Sequence, residues 1–316
     1  MKNQKLKINF FLITLFLLSV LYSCSKNEES DTLNSVEIEN GSESQDQSKL
    51  FPHERTIKGS RILEPDLKNA EENFEKKYNN YLKVDYYLID KPGIYEGFYF
   101  KNYITIESDN VTLVDCIING HVSIKNKAKN VRIEYSEVRG EDTETGKPHP
   151  GIGVNATRAG SNIVIYKSYI HSFFDLLRCG PHGIEVTESY LYDWGKDDDG
   201  NHADAFQYPS WDDELALTDK TKIIFSGNSI IEPFIGQKTA AIGFNSVTKH
   251  WTITNNYFKG AGYTMYISGG GYILKDNVFA GDNTWGNFRY YKDGRDYGVW
   301  KNNIDLDGNE IKPPTN

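Results

Sequence analysis

The stretch "NVTLVDCIING", Asn110–Gly120, is answered by "NVRIEYSEVRG" at Asn130–Gly140. In both, an apolar residue opens the unit and a second follows two places on. A small side chain sits five places on, and a third apolar residue seven places on. The template returns in "NIVIYKSYIHS" (Asn162–Ser172), "GIEVTESYLYD" (Gly183–Asp193), "KIIFSGNSIIE" (Lys222–Glu232), "HWTITNNYFKG" (His250–Gly260) and "GYILKDNVFAG" (Gly271–Gly281). A looser copy is "GVWKNNIDLDG", Gly298–Gly308. Alternation with a period of two is strand patterning, and no helical period lies between the copies. Short β repeats of about 20 residues mean a parallel β-helix, because one turn cannot bury its apolar side alone while stacked turns share a core. The predicted fold is all-β: a right-handed parallel β-helix with a short N-terminal capping helix.

The fifth template position reads Cys116, Ser136, Ser168, Ser189, Asn228, Asn256, Asn277 and Asn303. This is a candidate polar ladder at one turn. Asparagine tolerates left-handed backbone, and its amide can bond to the turns above and below. The expected role is structural. Trp251 and Trp300 occupy template positions and are predicted to be interior. Cys116 and Cys179 are too few for a disulfide framework and read as two small buried residues.

The first residues are not part of this coil. Lys2, Lys5 and Lys7 precede an apolar run, Phe10–Tyr22, that stops before Cys24. A basic start, a short apolar core and a small residue before the cysteine make a secretory signal, too short for a comfortable membrane span. The pattern resembles a bacterial lipoprotein signal, which implies a lipid on Cys24. "SKNEE", Ser25–Glu29, resembles the acidic patch of Bacteroidetes-type lipoproteins, which implies anchoring to the outer membrane, facing outward, with membrane contact through the lipid alone. Residues 24–50 are acidic and poor in large apolar groups, and read as a disordered tether. Residues 51–316 read as one domain, expected to be a monomer. Within it, Glu64–Leu82 carries Leu67, Ala70, Phe74, Tyr78 and Tyr81 at helical spacing, with Pro65 suited to a first turn; this is the expected cap. The net charge of -9 argues against nucleic acid and anionic membrane surfaces as partners.

Excess length between copies falls in Arg139–Arg158, Tyr192–Leu217, Glu232–Asn245 and Gly281–Tyr297. All four read as following the same template strand, so they are expected to leave on one side and wall a groove. Each turn also needs a further strand: "GIGVN", "DLLRC", "HADAFQ", "AAIGFN", "TMYIS" and "NFRYY". Stacked about 4.8 Å apart, these would gather Arg178, His202, Asp204, Gln207, Asn245, Tyr266 and Arg289 on one surface. On a regular strand His202 and Asp204 share a face. That face is expected to be the solvent side, with Arg178 within direct or water-mediated reach of Asp204, and Ala203 and Ala205 on the other face.

With "SYIHSFFDLLRCG", "GIEVTESYLYD" and "HADAFQ", the chain resembles a group of secreted bacterial β-helix proteins of the pectate-lyase-like superfamily. Their hallmark is His-x-Asp-Gly-x-Gln; this chain has His-x-Asp-x-x-Gln. "HADAFQ" is also similar to the Asn-Thr-Asp-Gly-x-Asp motif of polygalacturonases, from which it departs at His202 and Ala205. "AAIGFN" lacks that family's paired aspartates, and no Gly-His-Gly follows. An inverting glycosidase needs two carboxylates about 6.5–9.5 Å apart, and no second one is evident beside Asp204. The other chemistry on this fold is β-elimination from a uronic acid. There Arg178 and Arg289 would clamp the substrate carboxylate, His202 would be the base, Asp204 would orient it, and Tyr266 would protonate the leaving oxygen. Gln207, Asn245, Trp194, Trp211, Trp285 and Tyr290, with Tyr291, are candidate sugar contacts. The structural alternative is that His202 and Asp204 bond to loop backbone and hold the Tyr192–Leu217 insertion. Asp197, Asp198 and Asp199 are a candidate Ca²⁺ site, since calcium takes 6–8 oxygens, but their spacing matches no EF-hand. They read instead as a solvated loop, and no cofactor is expected. The function expected is a surface-anchored lyase cleaving an acidic polysaccharide. A non-catalytic glycan-binding protein and a glycoside hydrolase are the alternatives.

Overall fold

The computed structural model describes residues 53–57, 60–64, 77, 83–84, 86–140, 149–195, 203–208, 222–233, 239–244, 248–249, 251–267, 269–290 and 298–313. The signal, the tether and nearly all of the expected cap lie outside them. Of the cap, Glu64 ends a strand, Ser60–Glu64, and Lys77 is helical.

The chain winds as a parallel β-helix with three strands per turn. The first strand of each turn belongs to one nine-stranded sheet. Val111, Val131 and Ile163 are in register there, as are Ile184, Ile223 and Trp251. These are the residues that open the template copies. One turn was not visible in sequence. Gly93–Glu96 pairs with Val111–Val114, but glycine opens that copy and Phe98 stands where the template has a small side chain. Phe98 instead stacks on Phe100 at 5.5 Å.

A tight turn joins the first strand to the second, and the polar ladder runs along it. Ser136, Ser168 and Ser189 each accept the backbone N–H of the ladder residue one turn earlier through Oγ. Asn228, Asn256, Asn277 and Asn303 do the same through Oδ1, at 2.8–3.2 Å. Each asparagine Nδ2 also donates to a buried carbonyl, from Val186, Phe225, Ile253 and Leu274. The left-handed residue is not the ladder residue but the one before it: Asp115, Tyr135, Lys167, Glu188, Gly227, Asn255, Asp276 and Asn302 all have φ between 45° and 70°. Backbone reversal and amide laddering are thus divided between neighbours.

The second and third strands form columns joined by one long strand, Tyr169–Cys179, within a single 18-stranded sheet. Between the columns and the first sheet lies one apolar core that includes Trp251, Phe206, Phe225 and Phe258. Each such side chain contributes about 1.5–3 kcal/mol by burial. Trp251 is fully buried, and Trp300 packs against the core while partly exposed. Cys116 and Cys179 are free and buried. Part of the outer side of the second column is buried as well. There His171 sits between Glu137 and Ser172, at 3.0 Å from each, and stacks on Tyr169. An antiparallel hairpin, His53–Ile57 with Ser60–Glu64, lies against Ser229–Ile231 and Tyr257–Lys259.

The insertions do not all follow the same strand. Segments 141–148, 196–202 and 234–238 fall between second and third strands, while 209–221, 245–247 and 291–297 follow third strands. In sequence they therefore flank the third strands on both sides. The repeat template marks only the first two strands, so it could not show where the third divides the remaining length.

Candidate functional site

The third strands stack in the order anticipated. Val154, Leu177, Phe206, Ile242, Met265 and Phe288 are in register and apolar. Their neighbours Asn155, Arg178, Gln207, Gly243, Tyr266 and Arg289 form the adjacent polar column.

Strict alternation fails two residues upstream. Leu176 and Leu177 are both in the core, as are Ala205 with Phe206 and Ala241 with Ile242. Two consecutive inward residues bend the strand, so that side chains three apart meet on the outer side. Arg178 Nε donates to Asp175 Oδ2 at 2.6 Å, and a second guanidinium nitrogen pairs with the same oxygen. Gln207 Nε2 donates to Asp204 Oδ2 at 3.2 Å. The rings of Tyr263 and Tyr266 lie 5.3 Å apart.

Asp175 was not among the expected site residues. Continuing the pairing of Leu177 with Phe206 sets Asp175 beside Asp204, and the Asp204 amide donates to Asp175 Oδ1 at 2.8 Å. The second carboxylate that seemed missing is therefore one turn earlier. Its trace in the sequence is the Asp-x-x-Arg spacing of "DLLRC", which an alternating strand would place on opposite faces.

Asp204 does not face solvent, which corrects the expectation. It is 2% exposed, its Oδ1 accepts the Ala240 N–H at 2.9 Å, and Gln207 caps the other oxygen. Burial pushes its carboxyl well above the usual range, and the neighbouring Asp175 adds to the rise; the hydrogen bonds and the Arg178 charge oppose it. Burial also raises Asp175, against the Arg178 charge and the Asp204 amide. Arg178 thus contacts Asp175 and acts on Asp204 only through its field. Ala203 and Ala205 take the core side as expected.

Arg289 is exposed. It donates to Tyr266 Oη at 3.3 Å, and its guanidinium lies 5.3 Å from the Tyr266 ring and 5.9 Å from the Tyr263 ring. Among the described residues it has no acidic partner. Trp285, 49% exposed, stands 5.4 Å from Tyr263. Burial raises the Tyr266 phenol, and the Arg289 hydrogen bond opposes that rise.

Two expected sugar contacts point elsewhere. Trp194 is fully buried in the core, because it pairs in register with inward Phe173. Tyr290 packs against the same core, one residue past outward Arg289. His202, Asn245, Trp211, Tyr291, Cys24 and the run Asp197, Asp198, Asp199 lie outside the described residues. Among the described residues, no group of three or more His, Cys, Asp or Glu is placed to hold a metal ion. A cleft of about 660 Å³ opens at the turn between the first and second strands, lined by Glu188, Asn255 and Asp276 among others. Its acids are already held by Lys167 and Asn302, whereas the third strands carry the two buried carboxyls that burial raises, Asp175 and Asp204.

No family model matches this chain, and no curated protein or solved structure matches it.

Proposed function

We propose that the outer face of the third-strand column binds an acidic polysaccharide and cleaves it by β-elimination. One observation carries this reading: Arg289 is an exposed cation without an acidic partner among the described residues, framed by Tyr263, Tyr266 and Trp285. A guanidinium suits a carboxylate in bidentate fashion, and aromatic surface suits the C–H faces of a sugar ring. Arg178 supplies a second guanidinium in the same column, held outward by buried Asp175. Arg289 would stabilise the carboxylate as C5 loses its proton, and Arg178, four strand spacings away at roughly 19 Å, would hold the carboxylate of another unit of the polymer. His202 is the proposed base. The electron pair from C5–H forms the C4–C5 double bond, the C4–O bond breaks, and the Tyr266 hydroxyl gives its proton to the leaving oxygen. Asp204 orients Gln207 beside this centre.

The coupled pair Asp175 and Asp204 favours hydrolysis as a second reading, since acid–base glycosidases use two carboxyl groups; both are buried here. One assay separates the readings. The chain is incubated with pectate, alginate and glycosaminoglycans while ultraviolet absorbance and reducing ends are followed. Elimination gives both signals, and hydrolysis gives reducing ends alone. Binding without either signal leaves a glycan-binding protein and overturns the enzymatic reading. Arg289→Lys should lower turnover at least about ten-fold, because an ammonium does not replace a bidentate fork.

Attachment to the outer membrane through Cys24 belongs to the same proposal. Incorporation of a labelled fatty acid, lost in Cys24→Ala, is the expected result.

A further inference from the structure

The polar column does not start at Arg178. Leu88, Thr105, Ser123 and Asn155 continue it in register through earlier turns. Beside them, one residue before the inward positions Tyr87, Ile104 and Val122, stand Tyr86, Tyr103 and His121. The rings of Tyr103 and His121 are stacked, 4.8 Å apart with planes 5° from parallel. Tyr86 tilts against Tyr103 at 5.0 Å. Tyr86 is 51% exposed and Tyr103 45%.

Exposed aromatic side chains mark this face, while Ile94, Ile273 and Val299 are exposed on the first sheet. Among the described residues the exposed large hydrophobic side chains are Tyr86, Leu88, Ile94, Tyr103, Ile273, Trp285 and Val299. Tyr86, Leu88 and Tyr103 cluster at one end of the column, and Trp285 stands at the other. The turns of Tyr103 and Arg289 are separated by seven strand spacings, roughly 34 Å at about 4.8 Å each. Between them, apart from Gly243, the outward groups are polar: Ser123, Asn155, Arg178, Gln207, Tyr266.

We infer that Tyr86, Tyr103 and His121 form a distal anchor for the same acidic polysaccharide, so that the face takes the interior of a long linear chain. The inference rests on the function proposed above. An aromatic patch at each end of a polar, cationic strip fits a hydroxyl-rich polymer. A partner protein would need a contiguous apolar centre, and here the centre is the polar part. Contacts remote from the reacting bond count only for a substrate long enough to reach them. The anchor therefore makes chain length a determinant of affinity.

The test is affinity electrophoresis of the full chain in gels containing polygalacturonate, alginate or hyaluronan, with the trisaccharide of each as competitor. Wild type should prefer polymer to trisaccharide. In Tyr86→Ala/Tyr103→Ala that preference should fall about three- to ten-fold, with an unchanged melting temperature because both rings are exposed. Tyr103→Phe, which keeps the ring, should retain it. An unaltered preference in the double variant, alongside weakened binding in Arg289→Ala, overturns the anchor and leaves the proposed function standing. Absence of wild-type retardation by all three polymers overturns both.

Discussion

Gly243 lies directly beneath the carboxylate of Asp204. A Cβ at position 243 would sit 2.7 Å from Asp204 Oδ2, so the absence of a side chain there makes room for the buried acid one turn earlier. The outward column is interrupted at this point alone between Arg178 and Arg289.

Gly243→Ala should accordingly cost about 1–3 kcal/mol, the usual range for forcing extra volume into a packed site. Urea unfolding measures it. The cost should shrink in an Asp204→Ala background, because residues in contact are not additive. Equal costs in the two backgrounds would show that the acid is not what excludes the side chain.

Asp204 also sets a pH dependence. Its folded-state pKa is raised above the ordinary carboxyl value, so the folded chain holds this proton more tightly than the unfolded chain. Stability must then fall as pH rises from about 4, the unfolded value, up to the folded pKa. Asp204→Asn should lessen that slope, leaving the part that Asp175 contributes, and be at least as stable as wild type at neutral pH. Melting temperatures between about pH 4 and 7 test the difference. Parallel profiles for the two proteins would mean that Asp204 is charged in the folded state throughout.

The ladder predicts a position-specific penalty. Asn277 accepts the N–H of Asn256 and donates to Ile253 O and Asn303 Oδ1, all buried. Asn277→Ala leaves these groups without partners, at about 1–3 kcal/mol for each buried group stranded. Asn302→Gly, one turn later, exposed and with the left-handed backbone that glycine tolerates, should cost much less by the same urea measurement. Equal losses would remove the ladder's claim to a special role.

The coil was legible because its signal is redundant. Val111, Val131 and Ile163 face the same core in the same way, and a period repeated that often survives insertions. The copy at Gly93 was lost because two of its template positions carry glycine and phenylalanine. The third-strand stack was legible too, since Arg178, Gln207, Tyr266 and Arg289 do share a column. What stayed hidden was the bend at Leu176–Leu177. Two leucines in a row look the same whether a strand alternates or turns inward, and only packing decides. Asp175 and the burial of Asp204 both follow from that bend. Trp194 was misplaced for a related reason: an aromatic residue beside an insertion carries no mark of which way it points.

The ladder also has a direction. Each ladder side chain satisfies the N–H of the turn before it, from Ser136 serving Cys116 to Asn303 serving Asn277. No partial coil is complete in itself, because its newest turn always waits for the next. A chain made from its N-terminus therefore matures one step behind its own emergence. Growth stops where the strand reverses: Ile304 bridges Glu310 antiparallel, and the Ile311 N–H returns to Asn303 O at 2.7 Å. A frameshift or nonsense codon upstream of that reversal would leave a live end, able to template against a second copy.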